Sequence, residues 1–327
     1  MLLIFYSGIR TSNILHSLIT YLPQNKLGFV IDTSNILNLS NMKMYLCLRA
    51  LVHSLMRLEY DNSYRVFSFL KKFEYTKKIQ FTDLDIAMSI FLNELISKGE
   101  KLSDIIDKIS KNFMIESKIF PVSEDFSSVY VKTGQKTLPY LEYLQTNDPE
   151  LKFQELSLEE LENKKLCEKL KDIANNAEYI LLLPDDLVSF YTMLRVPGLK
   201  KILEDVPCPS FALCPITATS KFNPSYLDIL HKIGYPNVNA LEFSKLLENL
   251  VDTIILDESQ KEYREQIQNL GFQVITGNLA IQNKAQSFEL SSFLFNIFPL
   301  KETVKPSKTN IVTRFLSRLV KRKPETT

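Results

Sequence analysis

The sequence predicts an α/β protein with a Rossmann-like three-layer fold, in which helices cover both faces of a mainly parallel sheet. Short apolar runs alternate with amphipathic stretches over most of the 327 residues, which is the pattern of consecutive βα units. The run 177–183 is continuously apolar, as is typical of a strand buried on both faces. Polar residues follow several of these runs directly, at the strand ends where ligands bind in open parallel sheets.

Each element is predicted from its apolar spacing. The N-terminal half gives strands at 2–7 and 27–32 and helices at 11–22, 46–58, 83–96 and 102–113. A stretch rich in β-branched and aromatic residues follows, with strands at 118–125, 127–134 and 152–158, and then a charged helix at 159–173. The remainder gives strands at 177–183, 210–214, 253–257 and 272–276, and helices at 225–233, 241–250, 259–270 and 285–298.

These elements predict three regions. Residues 1–40 and 160–300 form the Rossmann-like α/β core, and residues 40–160 form an inserted helical and β-rich subdomain. Residues 301–327 form a basic amphipathic tail with net charge +6, against −5 for the first 300 residues. Two interpretations of the tail stay open: it docks on the acidic body, or it meets an anionic membrane surface or an acidic partner.

Composition narrows the function classes. The net charge is +1, so no global field attracts nucleic acid, and none is expected as a partner. The four cysteines and three histidines lack metal-binding spacing, which argues against a zinc or thiolate site. No run reaches the ~18 apolar residues of a membrane span, and the first apolar run is too short for a signal peptide. A cytoplasmic protein is expected.

The polar residues at the strand ends are the candidate binding residues. They are Ser7, Gly8, Arg10 and Thr11 after the first strand, Asp32 after the second, Asp185, Asp186 and Ser189 after 177–183, and Pro215 after 210–214. Taken alone, any one of these loops is more often a helix cap or a turn than a ligand site. Together on one sheet edge, they predict a cleft for a polar ligand in which Gly8, Asp32 and Asp185 meet.

Several motifs, in order, resemble those of the CofD family of 2-phospho-L-lactate transferases. "FYSGIRTSNILHSL" is similar to the family's Gly-Gly-Thr-Gly-x-x-Lys opening, and "VIDTSN" to its Val-Asn-Thr-Gly-Asp-Asp. "FTDLDIAMSI" resembles Leu-Gly-Asp-Arg-Asp-Leu-Ala, and "IFPVSED" resembles Leu-Pro-Met-Ser-Asp-Asp. "LLLPDDLVS" stands where the family has a strand ending in Pro-Ser-Asn-Pro, and "LCPITATSKFNPS" resembles its Ser-Pro-Ile-Ile-Gly segment.

The resemblance implies a magnesium-dependent transfer of a phospholactyl group. The donor is linked to guanosine diphosphate, and the acceptor is the deazaflavin Fo of coenzyme F-420 biosynthesis. In this sequence, Asp32, Asp83 and Asp85 would be the catalytic carboxylates, and Asp32 and Asp83 would hold Mg2+. Asn41 and Lys43 stand at the positions where the family contacts the acceptor. The resemblance also implies that the protein forms a homodimer.

The sequence also departs from the family pattern. Ser7, Ile9 and Arg10 replace Gly, Thr and Gly in the first loop, so fewer backbone N–H groups can approach an anion closely. Arg10 could compensate with its guanidinium, although a solvated surface arginine is the simpler interpretation. Asn41 and Lys43 replace two aspartates. These changes keep a second hypothesis open, namely a catalytically silent relative that binds a nucleotide or a partner protein as a regulator.

Overall fold

The computed structural model describes residues 1–9, 13–39, 42–56, 63–73, 80–125, 127–146 and 150–300. Arg10, Thr11, Asn41 and the 301–327 tail, for which the sequence predicts roles, lie outside the described residues.

A seven-stranded parallel sheet forms the centre of the protein, in the order β12-β11-β10-β9-β1-β2-β5. Two smaller antiparallel sheets accompany it, β3-β4 and β7-β6-β8. The strands are β1 Leu2–Tyr6, β2 Leu27–Ile31, β3 Ile36–Leu39, β4 Met42–Tyr45, β5 Lys118–Pro121, β6 Tyr130–Thr133, β7 Thr137–Pro139, β8 Phe153–Ser157, β9 Tyr179–Leu183, β10 Ser210–Leu213, β11 Thr253–Asp257 and β12 Gln273–Gly277.

Helices cover both faces of the main sheet. They are α1 Asn13–Tyr21, α2 Leu46–Leu55, α3 Arg65–Lys72, α4 Asp83–Ser97, α5 Leu102–Asn112, α6 Tyr140–Tyr143, α7 Glu159–Glu162, α8 Leu170–Asn175, α9 Leu187–Met193, α10 Leu199–Glu204, α11 Pro224–Ile233, α12 Ala240–Lys245, α13 Arg264–Asn269 and α14 Lys284–Ile297. Short 3-10 helices span Gln24–Lys26 and Glu258–Tyr263.

Strand β1 shows why the sequence folds into three layers. Every residue of β1 is buried, and its side chains alternate between the two faces of the sheet. Leu2, Ile4 and Tyr6 belong to one hydrophobic core, which α1, α2, α5 and α14 complete. Leu3 and Phe5 belong to a second core on the other face. The predicted α/β class and three-layer arrangement are confirmed.

The predicted division of the chain is wrong at β5. This strand lies inside the range 40–160 that the sequence assigns to an insertion, but it pairs in parallel with β2 and forms one edge of the main sheet. Pro121 ends the strand and lacks a backbone N–H, which suits an edge position. The rest of that range supplies the hairpin β3-β4, the sheet β7-β6-β8 and helices α2 to α6.

The predicted helix at 159–173 is interrupted. Helix α7 ends at Glu162 and α8 begins at Leu170. Between them, Leu166 forms an antiparallel bridge with Ser123, and the Cys167 N–H donates to the Val122 carbonyl at 3.1 Å. Backbone pairing with the loop after β5 therefore replaces helical hydrogen bonds, because tertiary contacts override helix propensity here.

Within the described ranges, no helix is both long enough and apolar enough to cross a membrane.

Candidate functional site

The C-terminal ends of the neighbouring strands β9, β1 and β2 lie side by side, on the side of the main sheet that is called its carboxyl edge below. Tyr6, the last residue of β1, is in register with Ile31 of β2 and Leu183 of β9. The ladders continue past the strands, since the Ser7 N–H donates to the Leu183 carbonyl and the Asp32 N–H donates to the Tyr6 carbonyl. The loops that begin with Ser7, Asp32 and Pro184 are therefore neighbours. The predicted meeting of Gly8, Asp32 and Asp185 at one edge is confirmed.

The Tyr6 side chain packs against Gly8 in the loop that follows β1. A Cβ placed on Gly8 would overlap the hydroxyl and ring of Tyr6. Burial, followed by the negative charge of Asp185 and a hydrogen bond to it, raises the pKa of Tyr6 well above its ordinary value. The tyrosine hydroxyl thus stays protonated and donates to Asp185. Ser7 is also fully buried, and its Oγ donates to the Asp186 carbonyl at 3.4 Å.

Cys47, at the start of α2, is a further buried group beneath this loop. Its thiol donates to the Tyr6 carbonyl, with Sγ and the oxygen 3.3 Å apart. Burial and then the nearby charge of Asp32 raise the pKa of Cys47 well above its ordinary value. The thiol is therefore neutral and serves as a packing group and weak donor, not as a nucleophile.

Asp32 is held by its own loop. Ser34 donates to it through its backbone N–H at 3.2 Å and its hydroxyl at 2.8 Å, and Asn35 Nδ2 donates at 2.7 Å. Burial raises the pKa of Asp32, and these hydrogen bonds and the charge of Lys164 oppose that effect. The same loop contains Thr33, whose buried hydroxyl has no hydrogen-bond partner among the described residues.

Asp186 caps the helix that follows β9. It accepts hydrogen bonds from the Ser189 N–H at 2.6 Å and from the Ser189 hydroxyl, and Tyr140 Oη lies 3.1 Å from its Oδ2. Burial raises the pKa of Asp186, while these donors act to lower it. Asp186 and Ser189 are therefore engaged with each other inside the protein. Pro215 follows β10, the next strand along the same edge.

Asp83 and Asp85 make their contacts in a second cluster, at the start of α4, and no described contact joins them to Asp32. Thr82 caps α4 together with Asp85, whose Oδ2 accepts from the Thr82 N–H at 2.6 Å. Asp85 is buried, with His53 Nε2 at 2.7 Å and Arg49 Nε at 2.8 Å. Burial acts to raise the pKa of Asp85, but His53 and Arg49 hold it below its ordinary value.

Asp83 is partly exposed and contacts Ser63, which precedes α3, and Val66 in the first turn of α3. Ser63 Oγ donates to it at 2.5 Å and the Val66 N–H at 2.9 Å. Lys43 is tied to α4 through its backbone, which exchanges two hydrogen bonds with the Asn93 side chain. The Lys43 side chain is exposed and lies near enough to Lys164 to lower the pKa of that residue.

Lys164 is a buried lysine near Asp32 that the sequence does not single out. It is 5% exposed and lies between α7 and α8, where its Nζ donates to the Asp125 carbonyl at 2.8 Å. Burial lowers its pKa from 10.5 to about 8, although the charges of Asp32, Asp125 and Glu160 favour the protonated form. Its neighbour Lys165 is exposed. Nothing in the composition or spacing of the sequence distinguishes the two lysines. Lys164 is buried because the predicted helix is interrupted at this point, which the sequence does not reveal.

The described side chains do not fit a metal centre built from carboxylates. No group of three or more His, Cys, Asp or Glu side chains able to hold a metal occurs among them. Both oxygens of Asp32 already accept hydrogen bonds from Ser34 or Asn35, and the contacts of Asp83 lie in the other cluster.

Comparison with known proteins assigns the family. The model of the family "2-phospho-L-lactate transferase CofD" matches residues 32–287. The chain belongs to the CofD family. This confirms the resemblance that the ordered motifs indicate. The matched range includes the loops that begin with Asp32 and Pro184, but not the loop after β1.

Two 2-phospho-L-lactate transferases are similar to the chain over about nine tenths of its length. It is 21% identical over 310 residues to the 2-phospho-L-lactate transferase of Methanococcoides burtonii, covering 91% of this chain and 99% of the relative. It is 19% identical over 306 residues to that of Methanosarcina barkeri, covering 91% and 98%. A UPF0052 family structure from Bacillus halodurans has the same fold, with a TM-score of 0.55 at 12% identity over 89% of this chain and 98% of the other.

Proposed function

We propose that this CofD-family protein is a transferase of the 2-phospho-L-lactate type. It would move a phospholactyl group from a guanosine-diphosphate-linked donor to a hydroxyl of the deazaflavin Fo. The observation that carries the proposal is the meeting of three polar loops at the carboxyl ends of β9, β1 and β2. In open α/β sheets this edge is where nucleotides and their phosphates bind.

The proposal assigns each loop a role in that reaction. Enzymatic phosphoryl transfer depends mainly on positioning and on neutralising phosphate charge. Ser7 and Gly8 begin the loop after β1, at the strand ends where phosphates bind in open parallel sheets. Asp32 lies one strand away and orients the acceptor hydroxyl, and its raised pKa suits a group that shares a proton with that hydroxyl. Lys164 supplies positive charge beside Asp32.

A second candidate function is a silent relative that binds a nucleotide without transferring a group. The observation that favours it is that the predicted catalytic carboxylates already have partners within the chain. Asp32 accepts from Ser34 and Asn35, and Asp85 is paired with Arg49 and His53. A carboxylate engaged in this way must exchange those partners before it contacts a substrate.

A turnover assay with the guanylated phospholactate donor and Fo separates the two functions. It is run with and without Mg2+, which keeps the predicted magnesium dependence open to test. The transferase proposal expects product formation that Asp32→Asn abolishes and the exposed control Asp172→Asn leaves unchanged. Titration of GDP and GTP accompanies it. Nucleotide binding without product would support the silent relative, and neither binding nor product would contradict both.

A further inference from the structure

The ammonium group of Lys164 is buried and only partly satisfied. Among the described residues, its hydrogen-bond acceptor is the Asp125 carbonyl, a neutral group 2.8 Å away. A lysine ammonium carries three donors, so two remain for another acceptor. Lysine is rarely buried unless its charge is paired, and leaving charged donors unsatisfied away from water is unfavourable. The burial of Lys164 therefore needs an explanation other than its contact with Asp125.

The carboxylates around Lys164 do not provide that explanation, because each has donors of its own. Asp32 accepts from Ser34 and Asn35. Asp125 accepts from the Lys165 N–H at 3.4 Å, and Glu160 accepts from the Ser128 N–H at 3.1 Å. None of them forms an ion pair with Lys164 within 4.0 Å in the described part of the chain, although all three act on it electrostatically.

Lys164 lies at the same end of the main sheet as Asp32. The segment that carries it pairs with the loop after β5, through Leu166 and Ser123. Strand β5 adjoins β2 in the main sheet, so this loop lies at the same carboxyl edge as Asp32. The unpartnered hydroxyl of Thr33 lies in the Asp32 loop. A buried cation with unused donors and a buried hydroxyl without a partner among the described residues thus both belong to loops at the C-terminal ends of the main-sheet strands.

We propose that Lys164 binds a phosphate oxygen of an anionic, diphosphate-bearing ligand, and that this contact requires no divalent cation. The inference rests on the proposed function for the location of the ligand at the carboxyl edge. A fixed ammonium neutralises phosphate charge directly, as a compact charge with several donors. It fits the absence, among the described residues, of a carboxylate cluster that could hold a metal.

Calorimetric titration with inorganic pyrophosphate in EDTA tests the contact. The expected result is measurable binding by the wild type, at least about tenfold weaker binding by Lys164→Met, since a hydrogen bond between charged groups is lost, and unchanged binding by Lys165→Met. Equal affinity of the two variants, absence of binding by the wild type, or binding only after Mg2+ is added would overturn the proposal.

A measurement on the wild type keeps the test valid if Lys164→Met fails to fold. The rate of lysine acetylation is followed by mass spectrometry with and without pyrophosphate. The expected result is a slower reaction at Lys164 when pyrophosphate is present, with no change at Lys165. Equal rates at Lys164 would overturn the proposal.

The outcomes distinguish this proposal from the proposed function. Lys164-dependent pyrophosphate binding without phospholactyl transfer would leave the contact standing and remove the transferase function. Phospholactyl transfer by the wild type, together with pyrophosphate binding that is the same in Lys164→Met, would support the transferase function and overturn the Lys164 contact.

Discussion

Lys164 lowers the stability of the folded protein at neutral pH. Its pKa is about 8 in the fold, against an ordinary value of 10.5, so its protonated form is less favourable in the fold than in the unfolded chain. At 1.36 kcal/mol per pKa unit, the penalty is up to about 3 kcal/mol. A residue that destabilises the fold and has unused donors is typical of binding sites, where stability is given up for function.

We expect Lys164→Met to raise the free energy of unfolding at pH 7 by roughly 1–3 kcal/mol. Between pH 8 and 10.5 the unfolded wild-type chain binds more protons than the folded one, so wild-type stability should rise with pH in that window. Urea unfolding at pH 7 and pH 9.5 measures both effects. A variant less stable than the wild type at pH 7, or one whose advantage grows at pH 9.5, would contradict this account.

Gly8 is required because Tyr6 occupies the space beside its Cα. Gly8→Ala would place a methyl group against the Tyr6 hydroxyl and ring, and Tyr6 is fully buried and cannot move freely. We expect a loss of about 3 kcal/mol, at the upper end of the cost of overpacking. The control is Gly134→Ala, where the nearest atom is the flexible Gln154 Nε2 at 3.3 Å. Thermal unfolding of both variants measures the difference, and equal melting temperatures would disprove the steric argument.

The contacts at the start of α4 explain why two conspicuous aspartates mislead a sequence-based assignment. "TDLD" carries the residues of a capping box, and Asp85 completes that box with Thr82. The same carboxylate binds Arg49 and His53 of α2. Both partners are distant in the sequence, so no local pattern reveals them. The described contacts of Asp85 join two helices.

Asp85→Asn should therefore weaken the α2–α4 junction. Removing one member of a buried ion pair leaves Arg49 without its counter-charge, at a typical cost of about 3–5 kcal/mol. Asp83→Asn, on a partly exposed residue of the same helix, should cost less. Because the pKa of Asp85 is lowered in the fold, its contribution is complete above its ordinary value of about 3.9 and is lost as the pH falls below it.

Chemical unfolding of both variants at pH 7 and pH 3 measures this. The stability difference between wild type and Asp85→Asn should shrink at pH 3, and pyrophosphate binding at pH 7 should be the same in both proteins. A loss of binding in folded Asp85→Asn would instead place Asp85 in the ligand site.

The strands of the main sheet were predictable because the apolar runs that mark them are local in the sequence. The candidate site was only partly predictable. The runs 253–257 and 177–183 correspond to β11 and β9, since continuous apolarity marks a strand covered on both faces. The strand at 118–125 was predicted, but its place in the main sheet and the interruption of the helix at 159–173 were not predictable, because both depend on which distant backbone the segment pairs with. Lys164 was missed for the same reason.

For the whole molecule, the 301–327 tail is the remaining prediction. The folded part of the chain ends on buried residues, since Phe298 and Leu300 are packed in the core. A chain that ends at Leu300 should therefore keep the fold. We expect the full chain, with its tail charge of +6, to co-sediment with anionic vesicles at low salt and much less at high salt.

The truncated chain is the control for that experiment and should not sediment with vesicles at either salt concentration. Equal sedimentation of both chains, or none by either, would contradict membrane attachment and leave docking on the body as the interpretation of the tail.

The interior position of β1 in the main sheet affects how this protein can fold as it is synthesised. Leu2 pairs on one side with Leu27 and on the other with Tyr179. At roughly 5–20 residues per second, β9 follows β1 by about 10–35 seconds. During that interval β1 and β2 can pair, but one edge of β1 stays open, with an apolar surface that invites aggregation. Nascent chains of this protein should therefore depend on chaperones until β9 has left the ribosome.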